Sequence, residues 1–448
     1  MKTIVIGAGK VGYSIAQMLS QENHDVTVIE QNPEREQIVS QNLDVQTILG
    51  NGASINALKK AGVTEADLVI AVTEKDEFNM VACLIAKSFG VLRTMARVEN
   101  PGYSEITKEE AFAAFDIDSI INPDQVTAQL IAKLIEVPEA VNVEYYAGDQ
   151  VQILELKLPA NTPLANIPLK NLDKPLPFLI VAILRGERMM IPKGDDVFLP
   201  GDYIFAMSET HKNLELKTLL GIPSLEIKNI VILGGGRLGI YLASILEKNK
   251  QLSVKIIEKD LEQCNQCSSI LSNTLILHGD GTDMQFLNEE DIGSSDLFVA
   301  ATSDDKVNLL VCLLTKHLGI KKTIAQIRRS EYTSLVEAVG VDVAVSPRIL
   351  TAGAILKFIG KGDIISVTLL GGAKAQLLEF AASGATKIIG KPLQTIRFPK
   401  NAIIGSLVKK NKVIIPKGDS IIEPGDHVMV FALPDSVKKT EKIFTGAK

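Results

Sequence analysis

The chain contains itself twice. Ile4-Val-Ile-Gly-Ala-Gly-Lys-Val-Gly12 returns as Val231-Ile-Leu-Gly-Gly-Gly-Arg-Leu-Gly239, and the correspondence continues at an offset that stays between 224 and 229. Gly7, Gly9 and Gly12 match Gly234, Gly236 and Gly239, Glu30 matches Glu258, and Gly50-Asn51-Gly52 matches Gly279-Asp280-Gly281. Farther on, Thr73, Asn79, Cys83 and Tyr103 match Thr302, Asn308, Cys312 and Tyr332. Asp118, Pro123 and Pro200-Gly201-Asp202 match Asp342, Pro347 and Pro424-Gly425-Asp426, after about five extra residues between Lys108 and Phe115 of the first copy. Duplication on this scale means one unit folded twice, so each assignment in one copy is tested in the other.

Within each copy, continuous apolar runs alternate with helical periodicity. Runs at 3–6, 25–29, 45–49, 68–72 and 94–98 have the character of parallel strands buried on both faces, with helices such as 11–21 and 79–89 between them. Proline-started amphipathic helices follow at 122–136 and 346–359, and the apolar stripe of the first (Val126, Leu130, Ile131, Leu134, Ile135) needs a partner surface. The pattern then changes to short β-type runs, at 151–156, 178–184, 188–191 and 203–207 in the first copy. Pro200-Gly201 and Pro424-Gly425 carry the chemistry of type II turns. Modules of about 70 residues have small cores, so the two are expected to pair, within or between chains.

The strongest chemical signal is a Gly-x-Gly-x-x-Gly that follows a strand, opens a helix, and is followed by an acid at the end of the next strand, in both copies. The first glycine permits the turn, the second lets backbone approach a pyrophosphate, and the third permits close helix packing. The N–H groups opening each helix, from Lys10, Val11, Arg237 and Leu238 onward, receive the anion. Glu30 and Glu258 are placed to accept from ribose hydroxyls and to repel a 2′-phosphate, which favours NAD(H) or an adenine nucleotide over NADP. The expected architecture is α/β: two doubly wound Rossmann-like parallel-sheet domains (1–121 and 228–345), each followed by a crossover helix (122–140 and 346–360) and a small β-rich α+β domain (141–222 and 361–448).

Other candidates surround the glycine loops. Lys10 and Arg237 are equivalent cations that read either as phosphate partners or as solvated loop residues. Asn51 and Asp280 could touch adenine or ribose or simply make turns, and Thr73 and Thr302 end the fourth strands beside acids that helix capping also explains. Arg97 is unbalanced between copies: its partner in register is Gln326, while Arg328 matches Glu99, so the two sites should differ in phosphate preference. Cys83 and Cys312 read as core residues, and Cys264 and Cys267 as incidental residues of a surface helix. His278 reads as strand-end packing, and none of the five histidines recurs or has an evident acid or nucleophile partner. No catalytic apparatus is therefore expected.

A net charge of −6 argues against nucleic-acid binding. No apolar run reaches the roughly 20 residues of a membrane span. The chain enters an apolar strand directly after Lys2, so no secretory leader is expected, and four cysteines in 448 residues suit a reducing, cytoplasmic setting.

The module order, with Gly7-Ala-Gly-Lys-Val-Gly12, Gly50-Asn-Gly-Ala53, Gly279-Asp-Gly-Thr282 and the Pro-Gly-Asp turns, resembles the TrkA family, cytosolic regulatory subunits of bacterial Trk potassium-uptake systems with two RCK (regulator of potassium conductance) units in one chain. The resemblance covers essentially the whole chain. It implies NAD(H) and ATP or ADP as ligands and a homo-oligomeric, tetrameric ring. It also implies control of a TrkH/TrkG-like potassium-translocating subunit from the cytoplasmic face of the inner membrane. Two other readings are a NAD-dependent oxidoreductase and a soluble nucleotide sensor with a different partner.

Overall fold

The computed structural model describes residues 1–21, 24–104, 115–172, 178–210, 212–329, 332, 336, 338–359, 364–370, 374–383, 386, 388–410 and 412–445. Most of the extra residues expected after Lys108, and His211, lie outside that set. In the first half, β1 (Lys2–Ile6), β2 (Asp25–Glu30), β3 (Gln46–Leu49), β4 (Leu68–Ala71), β5 (Arg93–Arg97) and β6 (Ser119–Ile121) form one parallel sheet in the order β3-β2-β1-β4-β5-β6. The central strands are buried along their length, which explains why their sequences are apolar without alternation. The sixth strand was not among the expected runs, because three residues are too few to show a period. Asp118 fastens it by accepting from Thr94 N (2.6 Å) and Oγ1 (3.1 Å) and pairing with Lys87 (2.8 Å). Asp342 does the same for Thr323 and Lys316, so this repeated acid is structural.

The first small module is an antiparallel sheet of β7 (Ala140–Tyr146), β8 (Val151–Lys157), β9 (Phe178–Arg185), β10 (Arg188–Met190) and β11 (Tyr203–Glu209), ordered β10-β9-β11-β8-β7. Gly201 (φ 84°) and Gly425 (φ 90°) take the left-handed conformation that a Pro-Gly type II turn requires. The aspartate that follows is buried: Asp202 accepts from Arg185 at 2.7 and 2.9 Å, which ties the turn to β9.

The second half repeats both sheets. The strands β12 (Asn229–Leu233), β13 (Ser253–Glu258), β14 (Thr274–His278), β15 (Leu297–Ala300), β16 (Lys322–Gln326) and β17 (Val343–Val345) run β14-β13-β12-β15-β16-β17. The last five, β18 (Ile364–Leu370), β19 (Ala375–Ala381), β20 (Ala402–Lys409), β21 (Lys412–Ile414) and β22 (His427–Ala432), run β18-β19-β22-β20-β21.

Neither half closes on itself. The first crossover helix, Pro123–Glu136, is capped by Asn122 and packs along the glycine-loop helix of the second half, Arg237–Leu246. Its Ala128, Ile131 and Leu134 share a core with Leu238, Leu242 and Leu246. The second crossover helix, Pro347–Ile359, returns the contact: Ala352, Ile355 and Leu356 pack with Ile15, Ala16 and Leu19 of the first glycine-loop helix, Lys10–Gln21. These are the partner surfaces the apolar stripes require. Cations clasp the far ends. Arg93 donates to Phe358 O (3.1 Å), and its counterpart Lys322 donates to Pro138 O and Ala140 O, the latter at 2.8 Å. Positive charge complements the carbonyl-rich end of a helix.

The small modules also pair, within the chain. Ile153, Val181, Phe205 and Met207 share a core with Leu377, Val408, Met429 and Phe431, and the Phe205 and Phe431 rings lie 6.0 Å apart. Gly405 marks a close approach, since a Cβ there would stand 2.6 Å from Met207 Sδ and 3.1 Å from Val181 Cγ1.

Two stability outcomes are expected. Gly405→Val should overpack this shared core and cost about 1–3 kcal/mol in denaturant unfolding. Burial pushes the Lys322 ammonium down to about 8, against the opposing pull of Asp342 and Glu139. The neutral amine still has two N–H donors for its two carbonyls. Between pH 8 and the ordinary lysine value of 10.5, the unfolded chain holds a proton that the folded chain has released. Stability should therefore rise with pH across that window, by up to about 1.4 kcal/mol per pH unit. Unfolding of the chain and of Lys322→Met at both ends of the window checks this, because the variant should lack the slope.

Candidate functional site

Both glycine loops leave the carboxyl end of a central strand at the point where strand order reverses, where open α/β sheets take ligands. Gly7 (φ 98°) and Gly234 (φ 103°) make the turn. A Cβ at Gly12 would stand 1.8 Å from Gly7 O, and one at Gly239 would stand 2.0 Å from Gly234 O, so the third glycines seat each helix against its loop. Gly9 and Gly236 are different. A Cβ at either meets nothing within 4 Å, and neither lies in the left-handed region. The chain's own packing therefore gives no reason for glycine at these two positions.

Glu30 and Glu258 fasten the loops. Glu30 accepts from Ala8 N (2.5 Å), Gln31 N (2.8 Å) and Asn32 N (2.8 Å), and Glu258 accepts from Gly235 N (2.8 Å), Lys259 N (2.8 Å) and Asp260 N (2.9 Å). A carboxylate has about four acceptor positions, so each retains one. Val11 is half-buried and Leu238 buried, so their side chains pack while their backbone belongs to the first helical turn.

The surrounding candidates separate. Thr73 and Thr302 each donate to a buried asparagine, Asn79 (2.7 Å) and Asn308 (2.6 Å). Those amides donate onward to Arg97 O (2.8 Å) and Gln326 O (2.9 Å), lashing the fourth and fifth strand ends together. Capping accounts for only some of the neighbouring acids. Asp304 caps its helix, whereas Asp76 and Asp305 accept from the backbone that follows the fifth strands. Asn51 and Asp280 close turns, onto Ala53 N (2.9 Å) and Thr282 N (2.8 Å), and the Thr282 contacts hold the Asp280 carboxyl below its usual range. Arg97 donates to Thr73 O (3.3 Å) and pairs with Glu99. It braces the strand end, and its Nε has no hydrogen-bond partner among the described residues.

The largest departure concerns Arg237. Read either as a phosphate partner or as a solvated loop cation, it bonds Asp124 (3.0 Å) and Glu99, both from the first half. Glu99 thus bridges Arg97 and Arg237 across the contact between halves. Around them lies a cleft of about 1400 Å³, walled by Gly234, Gly236, Glu258, Asp280 and Thr302 on one side and by 74–77, 99–101 and Asp124 on the other. Sequence reading treated the two sites as separate. The signal it passed over is a second mismatch beside the matched prolines: Asp124 corresponds to Arg348.

Two smaller expectations fail. Cys264 and Cys267 are buried, not incidental surface residues: Cys267 Sγ donates to Gly235 O (3.3 Å) and Cys264 Sγ to Glu258 O (3.4 Å), beneath the second glycine loop. Burial, with Glu258 nearby, raises both thiols. His278 is exposed at the end of an edge strand, in contact with Lys259 O (3.2 Å), rather than packed. Cys83 and Cys312 are core residues, their thiols pushed by burial to about 12. Among the described residues no helix is long and apolar enough to cross a membrane.

Comparison with known proteins agrees with this geometry. The TrkA-N domain model matches residues 3–123 and 230–347, and the TrkA-C domain model matches 153–220 and 378–445. A curated Methanosarcina mazei protein, Trk system potassium uptake protein TrkA homolog 2, is 39% identical over 99% of this chain and 100% of its own length. The Halomonas elongata protein named Trk system potassium uptake protein TrkA is 36% identical over 99% of this chain and 98% of its own. Among solved structures, the GsuK RCK domain and the GsuK channel bound to NAD each superpose on the whole chain with a TM-score of 0.60 at 17% identity, covering 95% and 79% of those chains, which speaks to fold alone. With both domain models matched in tandem and relatives aligned end to end, the chain belongs to the TrkA family of Trk-system potassium-uptake proteins.

Proposed function

We propose that this chain is a non-catalytic regulatory subunit that binds NAD(H) and adenine nucleotides at its two glycine loops and thereby controls potassium flux through a membrane-embedded partner. The observation that carries the reading is the emptiness around Gly9 and Gly236. A glycine with no positive φ and no neighbour to crowd leaves its backbone open to close approach by something that docks from outside. The ligand receives N–H groups from the turns opened by Lys10, Val11, Arg237 and Leu238, and the spare acceptor positions of Glu30 and Glu258 take ribose hydroxyls. Asn51, Thr73, Asp280 and Thr302 form the rims, and Arg97 braces the first from behind. The family names support the potassium system, and a neighbour of the same fold was solved as a channel bound to NAD.

Control follows from the exchanged helices. Each crossover helix leans on the glycine-loop helix of the other half, so a ligand that shifts one loop moves an element rooted in the other. A ligand shifts such an equilibrium only by its differential affinity for the two arrangements, typically about 1–3 kcal/mol. In this reading the chain assembles as a ring on the cytoplasmic face of the membrane.

Gly9→Asp and Gly236→Asp should each remove one site and spare the other, with affinity at the altered loop falling by at least about a hundredfold in calorimetry. Because no neighbour crowds either glycine, both variants should fold. NADPH should bind at least about tenfold more weakly than NADH, since each glutamate faces the 2′ position. Equal binding of the two, or steady oxidation of NADH by the purified chain, overturns this assignment.

Leu130→Asp places a charge at the edge of the first crossover contact. It should abolish the nucleotide response of potassium flux in the reconstituted complex while changing nucleotide affinity by less than about threefold. Flux that ignores ATP and NADH in the unsubstituted complex, with binding verified in the same sample, refutes the regulatory reading.

A further inference from the structure

The two halves carry opposite charge at equivalent places. Asp124, the second residue of the first crossover helix, corresponds to Arg348, the second residue of the other, and Glu99 corresponds to Arg328. Because the crossover helices are exchanged, Asp124 and Arg348 each serve the other half's glycine loop. At the second loop, Asp124 and Glu99 converge on Arg237 and neutralise it. At the first loop the signs are the same rather than opposed. Arg348 Nε donates to Ser14 Oγ (2.8 Å), and that hydroxyl donates to Lys10 O (3.1 Å), so the guanidinium sits on the first turn of the loop helix whose opening residue is Lys10. Among the described residues, Arg348 meets no carboxylate and the Lys10 ammonium has no partner.

An anion entering at this helix opening gains charge-assisted hydrogen bonds from cations that no carboxylate has already claimed. The first loop thus presents two cations without carboxylate partners among the described residues. At the second the cation is already paired, and along its cleft carboxylates outnumber cations eight to four. A triphosphate entering there meets repulsion and must also displace Glu99 and Asp124 from Arg237. A dinucleotide carries less charge and rests its pyrophosphate on backbone N–H groups.

We infer that Arg348 is a specificity-determining residue of the first glycine-loop site, supplied by the second half, and that it directs the nucleotide with the longer phosphate chain to that loop while Glu99 and Asp124 reserve the second for the dinucleotide. This rests on the glycine loops being nucleotide sites, as proposed above. The halves then differ by who donates charge to whom. Each site takes its selectivity from the half that does not contain it.

The test reads the sites one at a time by calorimetry with ATP and NADH. In a Gly236→Asp background only the first site remains, and ATP should bind tighter than NADH. Adding Arg348→Gln should weaken ATP about ten- to hundredfold and NADH by less than about threefold, and Arg348→Lys should restore part of the ATP loss. In a Gly9→Asp background the order of the two ligands should reverse, and Asp124→Asn should strengthen ATP. Equal losses of ATP and NADH on Arg348→Gln would mark a merely structural arginine and overturn the inference, as would unchanged ATP affinity or the same ligand order in both backgrounds. Those failures leave nucleotide binding itself standing. Absence of all nucleotide binding by the unsubstituted chain overturns the functional reading and this inference with it.

Discussion

The exchange of crossover helices is the contact on which the rest of the molecule depends. An isolated copy would expose Ala128, Ile131, Leu134 and Ile135 on one helix and leave the outer face of its own glycine-loop helix uncovered. Each fully buried leucine or isoleucine side chain contributes about 1.5–3 kcal/mol relative to exposure, so the exchange stabilises both halves together. Arg93 and Lys322 add direction, since a cation at the far end of each helix fixes how far it lies along its partner. The glycine loops thereby become part of the contact between halves rather than remote features of two separate domains.

How much of this was legible in the sequence follows from the range of the interactions involved. The parallel strands declared themselves because burial on both faces leaves an uninterrupted apolar run, and Gly7, Gly12 and their counterparts because local backbone geometry demands them. Asn122 before Pro123 gave the start of the first crossover helix, for the same local reason. The three-residue strands at Ser119–Ile121 and Val343–Val345 were not legible, because their pairing rests on Asp118 and Asp342 reaching back to a neighbouring strand.

The site itself divides along the same line. The turn, the fastening glutamates and the open second glycine follow from residues close in sequence. Arg237 with Glu99 and Asp124 joins residues more than a hundred positions apart, and nothing in either copy alone says that the halves face each other there. The burial of Cys264 and Cys267 escaped for a related reason: their helix exposes Leu261 and Ile270, so its pattern does not reveal which side meets the glycine loop.

The shared core of the small modules, with Phe205 against Phe431 and Gly405 against Met207, keeps both copies in one body whatever the protein concentration. Two identical chains meeting the same way would form a two-fold dimer, and every residue would then appear on both sides of the interface. Such a dimer must place Asp124 at both loops or Arg348 at both, and cannot place one at each. Covalent tandem linkage removes that restriction. This chain keeps the architecture of a symmetric pair while giving its two faces different sequences, a freedom that no assembly of identical subunits possesses.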